Sequence, residues 1–375
     1  MVKNAFYAQS GGVTAVINAS ACGVIETARK YPDKIGKIFA GKNGIVGALT
    51  EELVDTGYET QEDIAALRYT PGGAFGSCRY KLADPKKDRR EFERLLEVFK
   101  AHDIGYFFYN GGGDSADTCY KISQFSTLMG YPVQAIHIPK TIDNDLPVTD
   151  CCPGFGSVAK YIAISTLEAS LDVRSMCRTS TRVFVLEVMG RHAGWIAAAG
   201  GLVVDRGIPV VVLFPERTFD EKAFLSRVDE NVRRFGYCTV VVSEGCRYPD
   251  GRFLSDQGAR DAFGHEHLGG AAPVIANLVR DKLKHPLHWA VANYLQRSAR
   301  HIASAIDVEQ AYELGCAAVE LALKGHNSVM PTIERLADAP YRYGIGTADL
   351  KDVANIEKVM PQGFISEDGF GITAE

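Results

Sequence analysis

The chain has 375 residues, which is too long for one small hydrophobic core and predicts two α/β lobes. Its formal net charge of −5 argues against general nucleic-acid binding, and no apolar run approaches the ~20 residues that a membrane span needs. The N-terminus lacks a signal-peptide pattern, and the nine cysteines show no paired CxxC spacing, so we expect reduced thiols, a cytoplasmic protein and no zinc site.

A glycine turn follows the first predicted strand. The apolar residues 5–8 lead into Ser10, Gly11 and Gly12, and residues 15–28 have helical content. A strand, a glycine turn and a helix in this order point backbone N–H groups at a phosphate. Glycine also lets a ligand approach the backbone closely, although the same turn occurs where the glycines serve packing alone.

The next segments add cations. Residues 38–40 predict a short strand, and residues 89–100 predict an amphipathic helix. Between them, the glycine-rich loop 71–79 would bring Arg79 and the following Lys81 to an anionic ligand. The alternative is a surface loop with solvated charges.

A second glycine turn follows the strand predicted over residues 104–109. Residues 110–115 read Asn-Gly-Gly-Gly-Asp-Ser. A bare carboxylate would repel a phosphate here, whereas a carboxylate that binds Mg2+ would not. Asp114 is therefore either a ligand of a metal or water, or the N-cap of the next helix.

The rest of the chain is organised around residues 139–145, Pro-Lys-Thr-Ile-Asp-Asn-Asp, which follow a strand predicted over residues 133–138. Ligands of open α/β sheets sit at the carboxyl ends of strands. Asp143 could accept a proton from a substrate hydroxyl, Asp145 could hold Mg2+, and Lys140 could place its charge against a phosphate. The alternative is an Asp/Asn-rich turn capped by its own side chains, in which Lys140 is exposed.

The second half again alternates strands and helices. Helices are predicted over residues 154–172, 219–235, 271–284 and 308–323, and strands over residues 183–188 and 238–243. The first of these strands runs into Met189, Gly190 and Arg191, and the second into Glu244. Residues 251–264 predict a polar loop, and residues 327–375 are less regular. The alternation predicts two Rossmann-like lobes with mostly parallel sheets.

Several strand ends thus offer groups of one chemical type: glycine turns, magnesium-type carboxylates, cations and one candidate base. Glu244 and Arg297 are further contributors. Such a set indicates phosphoryl transfer, which depends on positioning and charge neutralisation more than on covalent help. The chain lacks the P-loop motif GxxxxGK[ST] and the protein-kinase motifs. No glycine turn reads GxGxxG with an acid ~20 residues on, which disfavours a dinucleotide-binding oxidoreductase.

At this point the chain resembles the 6-phosphofructokinases. Two motifs are hallmarks of that family, Thr-Ile-Asp-Asn-Asp at residues 141–145 and Val-Met-Gly-Arg at residues 188–191. Residues 10–12, residues 76–79 and the pair Gln296 and Arg297 agree in order and approximate spacing. The resemblance runs from residue 4 to residue 325.

The resemblance implies a role for each matching position. Asp143 would deprotonate the 1-hydroxyl of fructose 6-phosphate, and Lys140, Thr141 and Arg191 would also take part in catalysis. The sugar phosphate would contact Thr141, Ile142, Asp143, Arg182, Met189, Gly190, Arg191, Glu244, Tyr294 and Arg297. The phosphoryl donor would contact Gly12, Arg79, Asp114 and Lys140, and Mg2+ would contact Asp114 and Asp145.

The resemblance also implies an arrangement of lobes and subunits. Residues 1–145 would bind the phosphoryl donor, residues 146–325 would bind the sugar phosphate, and residues 326–375 would form a C-terminal segment. Arg182 matches an arginine that family members lend to a neighbouring subunit, so we expect a homodimer or homotetramer with shared active sites.

Two positions decide the donor. ATP-using members usually have glycine in place of Lys140, and they read Gly-Gly-Asp-Gly-Ser where this chain reads Gly-Gly-Gly-Asp-Ser. Asp114 and Lys140 would fill the α-phosphate region of a nucleotide, and the ammonium would neutralise the leaving phosphate of pyrophosphate. The resemblance therefore implies the pyrophosphate-dependent branch, which makes fructose 1,6-bisphosphate reversibly in glycolysis and gluconeogenesis. The alternatives are an ATP-dependent member and a non-catalytic sugar-phosphate-binding subunit, which usually loses the base.

The chain departs from the family pattern at three points. Gly113 stands where an aspartate normally touches magnesium, so either Asp114 serves two roles or Asp145 and water hold the metal. Tyr294 replaces a histidine that is common in bacterial members. The contact to the 6-phosphate from the neighbouring subunit falls to His288 or Lys284.

Overall fold

The computed structural model describes residues 2–255 and 270–374. Over these residues the chain forms two compact units. Unit 1 comprises Met1–Thr141, Asp145–Gly156 and Ala303–Glu357, and unit 2 comprises Ile142–Asn144, Ser157–Ile302 and Lys358–Glu375. Part of the polar loop predicted over residues 251–264, from residue 256 onward, lies outside the described residues. None of the described helices is both long and apolar enough to cross a membrane.

The strands and helices alternate along most of the chain. The strands are β1 Lys3–Ser10, β2 Ile35–Gly41, β3 Leu53–Asp55, β4 Ser77–Cys78, β5 Ile104–Gly111, β6 Gln134–Pro139, β7 Val183–Val188, β8 Val210–Leu213, β9 Cys238–Ser243, β10 Leu287–Val291, β11 Val329–Asp338 and β12 Tyr341–Asp349. The α-helices are α1 Ile17–Ala28, α2 Ile45–Thr50, α3 Gln61–Ala66, α4 Arg90–Ala101, α5 Gly113–Leu128, α6 Phe155–Met176, α7 Trp195–Gly201, α8 Glu221–Phe235, α9 Ala271–Leu283, α10 Asn293–Ser298 and α11 Ala305–Leu323.

The sheet of unit 1 has the strand order β12-β11-β6-β5-β1-β2-β3, and β4 pairs with the end of β1. The central pairs β6–β5, β5–β1 and β1–β2 are parallel, whereas the outer pairs β11–β12 and β2–β3 are antiparallel. Alternate residues of β1 enter two different cores. Phe6 and Ala8 join one apolar cluster, and Ala5 and Tyr7 join the other, as expected for a central strand that is covered on both faces.

Helices α1 and α11 pack at very short range in unit 1. A Cβ on Gly23 would lie 2.1 Å from the carbonyl oxygen of Tyr312, and a Cβ on Gly315 would lie 2.2 Å from that of Ser20. Only glycine fits at both crossings, so Gly23 and Gly315 allow the close packing of the two helices. This contact fixes a late helix of the chain to the first one.

The sheet of unit 2 has the order β10-β7-β9-β8, and all its pairs are parallel. Valines of β7 and β9 are fully buried in its core, together with apolar residues of α8 and α9. The expected α/β fold with mostly parallel sheets is confirmed.

The C-terminal part of the chain differs most from the structure that the sequence predicts. Residues 327–375 look irregular, yet β11 and β12 form a long antiparallel hairpin in unit 1. Much of this hairpin is exposed, so its apolar periodicity is weak. The segment 326–375 set apart in the sequence is divided between the units after Glu357, and the lobe boundaries remain a prediction.

One buried histidine gives the fold a testable pH dependence. His137 in β6 is fully buried, and neither ring nitrogen has a hydrogen-bond partner among the described residues. Burial, followed by the nearby charge of Lys140, lowers the pKa of His137 to about 3. The unfolded chain protonates this residue near pH 6.5, so its contribution to stability is complete above that pH and is lost progressively as the pH falls from there toward the folded-state pKa of about 3.

We therefore expect the free energy of unfolding to fall between pH 7 and pH 5, with His137 supplying about 2 kcal/mol of the decrease. His137→Leu should remove that component, and His326→Leu, at an exposed site, should leave it in place. Urea titrations at the two pH values measure the difference. Equal pH dependence in wild type and His137→Leu would contradict the assignment.

Candidate active site

Three neighbouring strands of unit 1 deliver predicted site residues to one edge of the sheet. Strands β6, β5 and β1 are adjacent and parallel, so their carboxyl ends meet. The backbone N–H of Lys140 donates to the carbonyl of Gly111 at 2.9 Å, and Ser115 Oγ donates to Ser10 Oγ at 2.7 Å. The two glycine turns and the start of the 139–145 stretch are thus directly joined.

Lys140 is buried in this edge rather than exposed in a turn. Its side chain is 4% exposed, and Nζ donates to the carbonyl of Gly12 at 2.7 Å. Gly11 has a φ of +76°, and a Cβ there would lie 3.5 Å from Nζ. The alternative of an exposed turn lysine is therefore wrong. The positive φ of Gly11 shapes the first turn, and the ammonium lies against the backbone of that turn at Gly12.

Arg79 reaches the same edge through β4. Strand β4 pairs in parallel with the last residues of β1, Ser77 with Gln9 and Cys78 with Ser10. The N–H of Gly11 donates to the carbonyl of Cys78 at 2.9 Å. The register therefore places Arg79, itself exposed, beside the Gly11 and Gly12 turn.

Asp114 is not a helix cap. Gly112 occupies the N-cap position of α5, and no side chain caps that helix end. Asp114 lies in the first turn of the helix, where a negative charge interacts favourably with the helix dipole. Its Oδ1 lies 3.1 Å from Nζ of Lys81, and both side chains are partly exposed. The loop that carries Arg79 thus also supplies the cation that faces Asp114.

Asp145 carries a carboxylate oxygen that suits a metal. Its Oδ1 is inaccessible to solvent and has no hydrogen-bond partner among the described residues. Burial raises the pKa of Asp145, a hydrogen bond from Thr141 opposes the shift, and the charges of Glu357 and Lys140 act with smaller and opposite effects. An orphaned carboxylate oxygen is expensive to bury unless a cation or donor satisfies it in the working protein.

This donor set fits Mg2+ bound largely through substrate and water. The described residues contain no group of three or more His, Cys, Asp or Glu side chains that could hold a metal. Mg2+ is commonly bound by one or two carboxylates, with phosphates and water completing its shell. Asp145 meets that requirement, and Asp114 is accessible enough to serve as a second or water-mediated ligand.

In unit 2, β7 and β9 bring a second set of predicted residues together. The strands pair in parallel, with Val188 opposite Ser243. The N–H of Glu244 donates to the carbonyl of Val188 at 2.9 Å, and Ser243 Oγ donates to the carbonyl of Gly190 at 2.5 Å. The turn containing Met189, Gly190 and Arg191 therefore lies beside Glu244. The order of the strands along the sequence does not by itself require these two strands to be neighbours.

Glycines make this approach possible. Gly190 has a φ of +120°, which L side chains rarely adopt. A Cβ on Gly245 would lie 2.0 Å from the carbonyl oxygen of Arg191. Both glycines thus shape the turn that presents Arg191.

Helix α10 adds Tyr294 and Arg297 through a residue whose role the sequence does not reveal. Gln296 is 1% exposed, and its Oε1 accepts from the N–H of Met189 at 3.3 Å. Its Nε2 donates to the carbonyl of Asn293 at 3.0 Å. The guanidinium of Arg297 lies over the ring of Tyr294 at 3.8 Å. Gln296 therefore attaches the helix that carries Tyr294 and Arg297 to the Met189 turn. In the sequence, only its place beside Arg297 in the motif pointed to Gln296.

Glu187, one residue before the end of β7, was also missed. Its carboxylate is buried and accepts from the N–H groups of Gly270 at 3.1 Å and Ala272 at 2.8 Å. It thus satisfies the N-terminus of α9. An acid inside an otherwise apolar strand is the signal that could have identified it.

Arg182 and its two possible helpers lie at the other end of this sheet. Arg182 immediately precedes β7, whereas Met189 follows it, a separation of about 20 Å along the strand. His288 pairs with Phe184, and Lys284 is the C-cap of α9, so all three lie toward the amino end of the parallel strands. The structure does not bring them to Met189 or Arg297 within one chain. That placement agrees with a role in a neighbouring subunit's site, which stays a prediction.

Asp143 and Asn144 complete the central turn. Asn144 is 2% exposed and adopts a left-handed φ of +54°, while Asp143 is half-buried. Asparagine tolerates this backbone conformation better than most residues. The alternating Asp-Asn-Asp order thus places a residue suited to the left-handed conformation between the two carboxylates.

Known proteins are similar to this chain over most of its length. A family model described as Phosphofructokinase matches residues 4–322. The chain is similar to proteins named pyrophosphate–fructose 6-phosphate 1-phosphotransferase from Methylococcus capsulatus, at 69% identity, and from Halomonas elongata, at 65%. Each match covers 99% of this chain and 89% of the relative.

The solved structures agree. A crystal structure titled as a pyrophosphate-dependent phosphofructokinase from Nitrosospira multiformis superposes with a TM-score of 0.92 at 67% identity. The match covers 100% of this chain and 90% of that one.

Because desolvation of its carboxylate disfavours the anionic form of Asp145, we expect Asp145→Asn to raise the melting temperature of the metal-free protein at pH 7 by a few degrees. The amide keeps the shape of the side chain without its charge. Asp150→Asn is the matched control, since it removes an ion pair with Arg335 at 2.9 Å and should lower the melting temperature slightly. Differential scanning calorimetry in EDTA measures both, and a destabilised Asp145→Asn protein would contradict the reading.

Proposed function

The chain belongs to the phosphofructokinase family, and on that premise we propose that it transfers a phosphoryl group from pyrophosphate to the 1-hydroxyl of fructose 6-phosphate. The products are fructose 1,6-bisphosphate and phosphate, and the reaction is reversible. Relatives named for this activity share 65% and 69% identity with nearly the whole chain. The structural observation that supports the donor choice is the buried ammonium of Lys140 on the Gly12 carbonyl.

Unit 1 binds the phosphoryl donor in this proposal. Gly12, the glycine turn before Asp114, Arg79 and Lys140 lie at one sheet edge. The ammonium of Lys140 neutralises charge on the phosphate that leaves. It also occupies space that an α-phosphate would need, and Asp114 adds bulk and negative charge against a nucleotide. Lys81, paired with Asp114 at 3.1 Å, keeps that carboxylate from acting as an unbalanced charge beside pyrophosphate.

Unit 2 binds fructose 6-phosphate. Met189, Gly190 and Arg191 line the sugar phosphate, Glu244 accepts hydrogen bonds from sugar hydroxyls, and Arg297 grips the 6-phosphate beside the phenol of Tyr294. Ile142 and Thr141 complete the contacts from the central turn. Asp143 accepts the proton of the 1-hydroxyl as its oxygen attacks the phosphorus, and the bond to the leaving phosphate breaks.

Magnesium would be held by Asp145, with Asp114 as second or water-mediated ligand. When bound, Mg2+ neutralises part of the phosphate charge. Thr141 donates to Asp145 and thereby fixes the orientation of that carboxylate.

Three further features belong to the same proposal. The enzyme is a homodimer or homotetramer in which Arg182, with His288 or Lys284, completes the site of a neighbouring subunit. It acts in the cytoplasm, in glycolysis or gluconeogenesis. The placement of Arg182 about 20 Å from Met189 along β7 supports the shared site.

Activity with purified protein tests the function directly. With Mg2+ and fructose 6-phosphate, we expect turnover with pyrophosphate and little or none with ATP. Asp143→Asn should lower kcat by roughly a hundredfold or more, since the general base is lost, while sugar-phosphate binding changes little. Calorimetric titration of Asp143→Asn with fructose 6-phosphate checks the expected binding. A wild type that prefers ATP, or a fully active Asp143→Asn, would overturn the corresponding assignment.

The two donor-selecting residues should respond differently to substitution. Lys140→Gly should lose a contact worth on the order of 3 kcal/mol at the leaving group and so reduce the pyrophosphate reaction by about two orders of magnitude. Asp114→Gly should relieve repulsion of ATP, so some ATP use should appear there or in the double variant.

Lys100→Met, at an exposed helix end, is the control for loss of a lysine. Steady-state rates with each donor, measured beside melting temperatures, separate donor selection from loss of stability. Little change in Lys140→Gly would contradict the leaving-group role.

A further inference from the structure

The C-terminal segment of unit 2 returns to the central turn. Nζ of Lys358 donates to Oδ1 of Asn144 at 3.2 Å. The same ammonium lies 5.7 Å from the centre of the Trp195 ring. Lys358 is half-buried, although it belongs to the stretch of sequence with the weakest pattern. A lysine more than 200 residues from the central turn therefore contacts its middle residue.

Asn144 is the residue through which such a contact would act. It separates the proposed base Asp143 from the proposed metal ligand Asp145, is almost fully buried, and has a φ of +54°. Asparagine tolerates this conformation, but an amide group buried to this extent requires hydrogen-bond partners. A hydrogen bond from an ammonium is stronger than one from a neutral donor and fixes the amide group.

The carboxylate of Glu216 anchors the segment that carries Lys358. Oε1 of Glu216 accepts from the N–H of Gly194 at 2.7 Å and from the N–H of Met360 at 3.3 Å. Gly194 is the N-cap of α7, whose first residue is Trp195. The Met360 side chain is 1% exposed. Glu216 thus joins the C-terminal segment to the end of the turn that begins at Met189.

An aromatic contact supports the same docking. The rings of Trp195 and Phe364 meet edge to face at 5.8 Å. Trp195 therefore contacts the C-terminal segment on both sides of Met360, through Lys358 and through Phe364. These contacts dock the segment against the first residue of α7.

We propose that Lys358 is a positioning residue for phosphoryl transfer, which holds the amide of Asn144 and thereby fixes the spacing of Asp143 and Asp145. The inference rests on the proposed function, because it assigns those two carboxylates their roles. It makes the C-terminal segment 358–364 part of the active site, with Glu216 and Trp195 as its anchor. The competing account is a direct contact between Lys358 and substrate. The two accounts predict different kcat values for the double variant.

A double-mutant cycle in the full-length enzyme distinguishes them. Lys358→Met keeps a long unbranched side chain and removes the charged donor, and Asn144→Gly removes the amide but permits the left-handed backbone. We expect each single variant to lower kcat by about tenfold to a hundredfold, as misplacement of a reacting group does, with KM for both substrates changed much less. The double variant should be no slower than Asn144→Gly alone, because the two residues act through one contact.

Rescue and control variants complete the test. Lys358→Arg should recover most of kcat, and Lys222→Met, at an exposed site on α8 of the same unit, should match wild type in kcat and melting temperature. Losses that multiply in the double variant, or normal kcat in a folded Lys358→Met, would overturn the inference. If Lys358→Met melts early, Asn144→Gly and Lys358→Arg still report on the same contact, and wild-type kcat in Asn144→Gly would overturn the inference. A wild type inactive with fructose 6-phosphate and either donor would instead overturn the proposed function on which this inference rests.

Discussion

The burial of the Lys140 ammonium is the constraint on which the first half of the site depends. A charged group removed from water is costly unless hydrogen bonds and opposite charge compensate it. Here the Gly12 carbonyl accepts at 2.7 Å, and the carboxylate of Asp145 interacts with the same charge. The turn beside it needs glycine at position 11, since its φ of +76° is one that L side chains rarely adopt. The ammonium is thereby held at the edge of the sheet where the two glycine turns meet.

In unit 2, hydrogen bonds between backbone turns also position the predicted site residues. Two parallel strands end side by side, and backbone and hydroxyl hydrogen bonds between Val188, Gly190, Ser243 and Glu244 fix the turn that carries Arg191. Gln296 then attaches helix α10 to that turn through the N–H of Met189. In both units, buried polar contacts between backbone turns set the positions of the charged side chains. Such positioning suits a reaction that depends on charge neutralisation and alignment.

Incompletely satisfied polar groups gather near these turns. His137, Asp145 and Glu216 each hold a buried side-chain atom without a hydrogen-bond partner among the described residues. Burial is the main cause of the pKa shift in all three, downward for His137 and upward for the two acids. Groups of this kind reduce stability, and active sites commonly retain them because the function requires them. The fold can carry this burden because its cores, with fully buried aromatic residues such as Phe6, Phe107 and Phe224, are extensive.

The sequence by itself determined the fold class, the main strands and the phosphoryl-transfer chemistry. Strands 183–188 and 238–243 were predicted residue for residue, because buried parallel strands are continuous apolar runs with polar ends. The short motifs also identified which side chains to examine, since glycine turns, acids and cations follow those strands directly. Hydrogen bonds confirm that Lys140 lies at the Gly12 turn and that Glu244 lies at the Met189 turn, but the roles of these residues remain predictions.

Only the tertiary structure decided the burial of Lys140, the pairing of Asp114 with Lys81, and the hydrogen-bond partners of Gln296, Glu216 and Lys358. Each of these depends on contacts between residues far apart in sequence, and the local pattern does not identify the partners. The β11–β12 hairpin escaped prediction for a related reason, because its exposed residues weaken the apolar periodicity. Local periodicity reports which face of an element is buried, whereas the partner of a polar side chain is fixed by how distant elements pack.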